Sequence, residues 1–329
     1  LVSADGERWP LVLFSHGLGG CEEMYSQLCA FVASHGYVVV AVEHEDGSGC
    51  HAVDIDGETV RYRGTPAGFA YGRQAVVQFR QPFLEQRVLE IEAALRHLLS
   101  PTAGGALADV LATVARDGGA HVLAHSFGGA SAVLAAQRLG DGLGDGLVDG
   151  LGGVPQPRIS RGAPVRGSRH APRAGEAPPP PAVASVVLLD PWVFPLPDET
   201  LRQGVRQPVL CLLSEAWTEH AELHAVRSLL AASPAASPAL YAPGTRHASL
   251  SDTATWAPPA VGRRVGALGP REEMHATPLA AAAAIHAHIQ RVRNPVEAAA
   301  AVEAAAAVIA RDGLGLAVPT TAVFVPFEK

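Results

Sequence analysis

The chain has 329 residues, 48% of them apolar, with 25 Lys and Arg against 32 Asp and Glu for a formal net charge of −7. Such a length and apolar content supply a sizeable core, and an acidic balance without any Lys/Arg block argues against nucleic acid or an anionic membrane patch as partner. No run reaches the ~18 apolar residues of a membrane span.

The chain opens Leu1-Val2-Ser3 without Met or a leader pattern. This reads as a truncated N-terminus and leaves the compartment, cytoplasmic or secreted, open. Trp9 to Phe14 is a short apolar run and reads as the first strand. It empties into Ser15-His16-Gly17-Leu18-Gly19-Gly20, a glycine-rich loop, ahead of a helical pattern from Glu22 to Ser34. Tyr37 to Val42 reads as the second strand. Phe83 to Ser100 reads as a helix, because Leu84, Val88, Ile91, Leu95 and Leu98 recur at spacings of three and four. Leu107 to Arg116 reads as another helix, and Ala120 to Ala124 as the next strand. The strand ends in His125-Ser126-Phe127-Gly128-Gly129, which passes into a helical pattern from Phe127 to Leu139.

From Gly140 to Pro181 come Gly-Asp-Leu near-repeats, an Arg/Pro/Gly-rich stretch and four consecutive prolines. Too little apolar surface is present to offset ordering entropy, so residues 140–181 read as a low-complexity, disordered insertion. Asp141, Asp145 and Asp149 recur every four residues but do not match a calcium loop. Beyond the insertion, Val183 to Leu189, Pro208 to Leu213 and Ala239 to Tyr241 read as strands, with helices over Thr218 to Ala232 and Ala276 to Val292. Asn294 as N-cap, Pro295 in the first turn and Gly313 as C-cap bound a final Ala-rich helix. The strands are mostly continuous apolar runs, as strands buried on both faces must be. Their alternation with helices predicts one α/β domain over residues 1–329, a mainly parallel, doubly wound sheet flanked by helices. Cys21, Cys29, Cys50 and Cys211 form no C-x-x-C pair and read as free thiols.

The chemistry concentrates where strands end. A strand, a sharp turn with a serine at its apex and then a helix is the sequence form of a nucleophile elbow, so Ser126 is the candidate nucleophile. Small residues must stand at both second neighbours of such a serine; Gly128 does, and Ala124 replaces the usual glycine with one extra methyl group. A serine nucleophile needs a base and a carboxylate that orients it, which follow on α/β-hydrolase sheets in the order Ser, Asp/Glu, His. Asp190 directly ends the next apolar strand and is the candidate acid. Of the 14 histidines, His247 follows Asp190 and sits in a loop after the strand near Tyr241, whereas His220, His224 and His275 lie in or beside helical patterns. His286 and His288 stand two apart on a helix and face different directions, a poor metal pair. The oxyanion donors expected are the backbone N–H groups of Phe127, which follows the serine, and of Leu18 in the glycine-rich loop. This chemistry calls for no metal and no cofactor.

Taken together, Phe14-Ser15-His16-Gly17-Leu18-Gly19, Ala33-Ser34-His35-Gly36-Tyr37, Ala41-Val42-Glu43-His44, His125-Ser126-Phe127-Gly128-Gly129-Ala130, Leu189-Asp190-Pro191-Trp192-Val193-Phe194-Pro195-Leu196, Ser214-Glu215 and His247 resemble the platelet-activating factor acetylhydrolase family. The resemblance covers nearly the whole chain apart from the 140–181 insertion and the last residues. It implies an α/β-hydrolase fold with Ser126, Asp190 and His247 as the triad and Leu18 and Phe127 as oxyanion donors. It also implies calcium-independent hydrolysis of the sn-2 acetyl, or another short or oxidised acyl group, of a phospholipid substrate met at a membrane or lipoprotein surface. Trp192 and Phe194, just past the acid, are candidates for the wall of an acyl pocket, with ordinary core packing as the other reading. A general carboxylesterase or polyester hydrolase would use the same residues. An inactive hydrolase-fold binding protein is the alternative of a different class.

Overall fold

The structure, a computed structural model, describes residues 8–54, 56–100, 107–139, 182–256, 258–269, 275–295 and 325–327. Its strands are β1 (Trp9–Ser15), β2 (Val38–Val42), β3 (His51–Val53), β4 (Thr59–Arg61), β5 (Val114–His125), β6 (Val183–Leu189), β7 (Val209–Ser214), β8 (Leu240–Ala242) and β9 (Val325–Pro326). Seven of them form one sheet in the order β2-β1-β5-β6-β7-β8-β9. Neighbours run parallel except β8 and β9, and β3 pairs antiparallel with β4 outside the sheet.

The helices are α1 (Ser26–Ser34), α2 (Arg73–Leu98), α3 (Ala108–Leu111), α4 (Phe127–Leu139), α5 (Asp198–Gln203), α6 (Glu215–Thr218), α7 (Leu223–Ala232), α8 (Pro259–Arg264) and α9 (Ala276–Arg293). Strand side chains alternate between two cores, because the period of a strand is two. Leu11, Leu13, Val122, Val186 and Leu188 join Ile91 and Leu95 of α2, Val133 of α4 and Val226 of α7 on one face. Val12, Phe14, Leu123, Val187 and Leu189 join Leu28 and Val32 of α1 and Ile285 and Ile289 of α9 on the other. Each such apolar side chain contributes about 1.5–3 kcal/mol by leaving water. Helices on both faces of a mainly parallel sheet make this the doubly wound α/β-hydrolase arrangement.

Several elements differ from the sequence expectation, among them the helix expected over Thr218 to Ala232, which begins only at Leu223. Of the helix expected over Leu107 to Arg116, only α3 forms. Val114 and Ala115 instead pair with Trp9 and Pro10, and the register then jumps so that Leu11 meets Ala120. Pairing with β1 overrides a local helical spacing too short to hold on its own. Helix α2 begins ten residues before the expected Phe83 and runs through Pro82. Pro82 and Gln78, whose carbonyl the proline leaves without a helical donor, both face solvent, so water can serve that carbonyl. Asn294 closes α9 as its C-cap; the body of the expected final helix and the 140–181 stretch lie outside the described residues. All four cysteines are free, with Cys211 buried in the sheet.

Candidate active site

Parallel strands deliver side chains to the loops past their C-terminal ends, where such sheets build sites. Ser126 occupies the turn between β5 and α4 at φ 56°, and Asp190 follows β6 at φ 41°. They are the only non-glycine residues at positive φ among the described ones. A left-handed backbone costs an L-residue roughly 1–2 kcal/mol, and here neighbouring bonds hold both in place. The Ser126 N–H donates to the Leu189 carbonyl at 2.9 Å, and its carbonyl accepts from Gly129 at 2.9 Å and Trp192 at 2.8 Å. The turn needs space as well. A Cβ on Gly128 would lie 2.2 Å from the Ser15 carbonyl oxygen, and one on Gly129 2.7 Å from Pro191 Cβ. The extra methyl of Ala124, by contrast, is absorbed in the core.

Asp190 is fully buried and wholly engaged. Its Oδ1 accepts from the Ser214 N–H at 2.6 Å, and its Oδ2 accepts from Ser214 Oγ at 2.6 Å and from His247 Nδ1 at 3.0 Å. His247 opens a 3-10 turn, His247–Leu250, after β8. Its ring lies between Trp217 (centroids 4.4 Å, 14° between planes) and His125 (4.4 Å, 30°). With Nδ1 turned to the carboxylate, Nε2 is the nitrogen left for chemistry. The other histidines of the C-terminal half have different partners: His220 stacks on Trp217, His224 meets the edge of Phe194, and His275 bonds Gln27. Ser126 Oγ makes no hydrogen bond among the described residues.

His125, Asp190 and His247 present ligand-type atoms within 4.8 Å of one another, a set that could in principle hold a metal ion. The Asp190 oxygens and one nitrogen of each ring already carry hydrogen bonds, while His125 Nε2 is buried without a partner. His125 Nδ1 shares a 2.8 Å hydrogen bond with Tyr25 OH, and burial and the neighbouring His247 push the His125 imidazole well below its usual pKa. The Asp190 oxygens hold Ser214 and His247. The donor set suits an orienting carboxylate and a base better than a coordination shell.

The glycine-rich loop after β1 faces the elbow: a Cβ on Gly17 would lie 2.9 Å from Ser126 Cβ. Outside regular ladder bonds, neither the Leu18 nor the Phe127 N–H donates to another described residue. Residues distant in sequence pin this loop. The Gly17 N–H donates to Tyr25 OH at 3.4 Å, the Gly19 N–H to the Ser48 carbonyl at 2.7 Å, and Arg87 Nη1 to the His16 carbonyl at 2.6 Å. Beneath it, Ser15 Oγ and His44 Nε2 are 2.8 Å apart, and His44 Nδ1 and Glu90 Oε2 2.6 Å. Burial raises the Glu90 carboxyl to about 8 and pushes the His44 imidazole well below its usual value.

Trp192 is half-buried; its ring lies 5.6 Å from that of Phe127, and its Nε1–H donates to Glu222. Phe194 is buried beside Tyr71, with the Arg73 guanidinium 5.1 Å from its ring centroid. Sequence reasoning did not single out Ser214, Tyr25 or Arg87 as site residues. Ser214 ends an apolar strand, as Asp190 does, and Arg87 interrupts the apolar stripe of α2; both signals were legible. Tyr25 gave none.

The fold and the strand-end constellation define an α/β-hydrolase-fold protein with a serine elbow. A ferulic acid esterase from Streptomyces cinnamoneus shares that fold, with a TM-score of 0.56 and 18% identity over 86% of this chain and 67% of that one. The family model of platelet-activating factor acetylhydrolase, isoform II, matches residues 2–140 and 182–299, and the chain belongs to that family. Similar proteins include a platelet-activating factor acetylhydrolase of Bos taurus, 34% identical over 39% of this chain and 32% of that protein. One of Gallus gallus is 25% identical over 68% of this chain and 48% of that protein. A putative phospholipase A2 of Schizosaccharomyces pombe is 54% identical over 41 residues, 12% of this chain and 9% of that protein. The chain thus spans about a third to a half of the length of its acetylhydrolase relatives.

Proposed function

We propose that this chain is a serine esterase that hydrolyses the sn-2 acetyl group, or another short or oxidised acyl group, of phospholipids, without calcium. The observation that carries the reading is the 3.0 Å bond from His247 Nδ1 to the buried Asp190 carboxylate, beside a serine held at φ 56° on an elbow. Membership of the acetylhydrolase family supports the substrate class. In the mechanism, Ser126 Oγ attacks the ester carbonyl and His247 Nε2 takes its proton, while Asp190 orients and stabilises the imidazolium. The Leu18 and Phe127 amides receive the tetrahedral oxyanion. The proton then passes from His247 to the leaving alcohol, and His247 activates the water that releases the acyl group. The hydrogen bond from Ser126 Oγ to His247 Nε2 forms when substrate excludes water, since catalytic contacts that are long in the free enzyme often close only in the complex. Trp192, beside Phe127, walls the acyl pocket, and Phe194 backs it. The phospholipid is met at a membrane or lipoprotein surface; no helix of the described residues is long and apolar enough to cross a membrane.

The test is release of acetate from an sn-2 acetyl ether phospholipid in the presence of chelator, beside a long-chain phospholipid and p-nitrophenyl butyrate. Rapid acetyl release with little long-chain cleavage is expected. Ser126→Ala is expected to lose at least about 10³-fold in kcat, with an unchanged melting curve and no fluorophosphonate labelling. Wild-type turnover in that variant sinks the assignment, and cleavage of the small ester alone moves the substrate to general carboxylic esters.

A further inference from the structure

Helix α2 buries two arginines seven residues apart on one face and treats them differently. Arg87 is fully paired: Nε donates to Asp46 Oδ2 at 3.1 Å and to Ser48 Oγ at 2.9 Å, and Nη1 to the His16 carbonyl at 2.6 Å. Arg80, two turns earlier, is only 4% exposed, and its Nη1 is buried without a hydrogen-bond partner. No ion pair to Arg80 forms among the described residues. Its guanidinium rests on aromatic faces, 4.8 Å from the ring centroid of Phe79, 5.2 Å from Phe83 and 5.8 Å from Phe127. A guanidinium does not shed its charge, and ring faces compensate a buried cation only in part. The large majority of buried side-chain donors in native proteins are paired. Arg80 is the charged group among the described residues' unpaired buried donors, Trp217 Nε1 being a neutral one; such an orphan asks for the group that completes it.

The surroundings say what that group is. Arg63 packs on the same Phe83 ring at 4.4 Å, so a second guanidinium stands beside Arg80; Arg73, on Phe194 at 5.1 Å, is paired with Asp198. Burial and Glu222 raise the Tyr71 hydroxyl while the Arg80 charge pulls it back, which puts Arg80 within electrostatic reach of this exposed ring. Phe127 joins the cluster to the chemistry, since its own amide is a proposed oxyanion donor.

We propose that Arg80 receives an anionic group of the substrate, a phosphodiester or a carboxylate, next to the ester under attack. Either group presents two oxygens to the guanidinium fork. A phosphodiester belongs to the leaving-group side of an sn-2 ester; a carboxylate ends an oxidised acyl arm. The inference rests on the esterase reading above.

The test compares the wild-type chain with Arg80→Met on three esters: neutral p-nitrophenyl butyrate, the p-nitrophenyl monoester of glutaric acid, and an sn-2 acetyl phospholipid. The quantity read is kcat/KM for each anionic ester divided by that for the neutral one. At least a tenfold fall in one ratio is expected, and the ester affected identifies the source of the anion. Unchanged ratios overturn the proposal. Calorimetric titration with sn-glycero-3-phosphocholine and with glutarate needs no turnover. Wild type is expected to bind at least one of them ten times more tightly than the variant, and equal or absent binding overturns the proposal. Failure of the wild type to cleave any of the esters sinks the esterase reading while these titrations still decide on Arg80. Because a buried cation without a counterion gains little by being there, Arg80→Met is expected to melt no lower than wild type. A lower melt with unchanged ratios makes Arg80 a packing residue and overturns the proposal. Arg80→Lys, which keeps the charge and loses the fork, repeats both measurements should the Met variant not fold.

Discussion

Three hydrogen bonds converge on the Asp190 carboxylate, two of them at 2.6 Å from Ser214. The Ser214 hydroxyl also accepts from the Trp217 N–H at 3.3 Å and so starts α6, whose Trp217 stacks on His247. One side chain thereby holds the proposed acid directly and the proposed base through its stacking partner. Removing a hydrogen bond to a buried charge costs about 1.5–3 kcal/mol, so Ser214→Ala is expected to lower kcat about 10- to 100-fold. KM should change far less. Steady-state kinetics on a small ester checks this; an unchanged kcat means that the Ser214 amide alone orients the carboxylate. Asp190 and His247 were legible in the sequence, since each follows a strand in an order the chemistry requires. Tyr25, which bonds His125 at a separation of 100 residues, was not. Nothing local marks a tyrosine in the first helical stretch as the support of a loop and a strand end.

At the scale of elements, the turn from β5 into α4 brings helix and sheet closer than any side chain permits. Gly128→Ala puts a carbon where only 2.2 Å separates it from the Ser15 carbonyl oxygen, and backbone cannot rotate away as a flexible side chain can. Overpacking of this kind costs roughly 1–3 kcal/mol or more. The expected outcome is a lower urea midpoint at unchanged m-value, with a loss of turnover because the loop carrying Leu18 is pushed outward. A midpoint equal to that of wild type contradicts this account of the elbow. Helix α4 was expected with its observed limits, because the turn fixes its start. The first half of β5 was not, because Val114 and Ala115 take their strand geometry from Trp9 and Pro10, about a hundred residues earlier. The hairpin of β3 and β4 was missed for a similar reason: three-residue strands carry too little pattern to read.

For the molecule as a whole, burial of titratable groups sets how stability responds to pH. Burial, and then Arg87, lowers His16 to about 4; burial, and then His288, lowers His121 to about 3; burial, and then Arg291, lowers His288 to about 4. Each pKa is lower in the folded than in the unfolded chain, where it is 6.5. The unfolded chain therefore binds more protons below 6.5, and stability falls as the pH drops toward 4. Glu90 has the opposite sign. Burial raises it from 4.5 to about 8, so the folded chain holds the extra proton, and stability falls as pH rises through that window. Burial lowers His44, His125 and His286 as well. It also raises Glu45 and Asp252, and a hydrogen bond with Glu43, and then burial, raises Glu22. Melting temperature is expected to rise toward about pH 6.5, where the lowered histidines outnumber the raised carboxyls, and to decline from there to about 8. In Glu90→Gln the decline should disappear while the acid limb remains. A wild-type melt that is flat between pH 6.5 and 8 rules out a Glu90 carboxyl protonated in the fold.

The sequence by itself determined the class of the fold and marked the residues to which the proposed chemistry is assigned. Buried strands must be apolar, a serine at an elbow must have small neighbours, and a triad acid must follow a strand, and each requirement marks residues in a short window. Only the tertiary structure decided which groups complete the site. Asp190 meets Ser214, the His16 carbonyl meets Arg87, and His44 meets Glu90 across 24, 71 and 46 residues of chain. Only the tertiary structure, too, left Arg80 buried among three phenylalanines with a donor unpaired. Pairings of that kind depend on which elements pack against one another, and local pattern does not encode them.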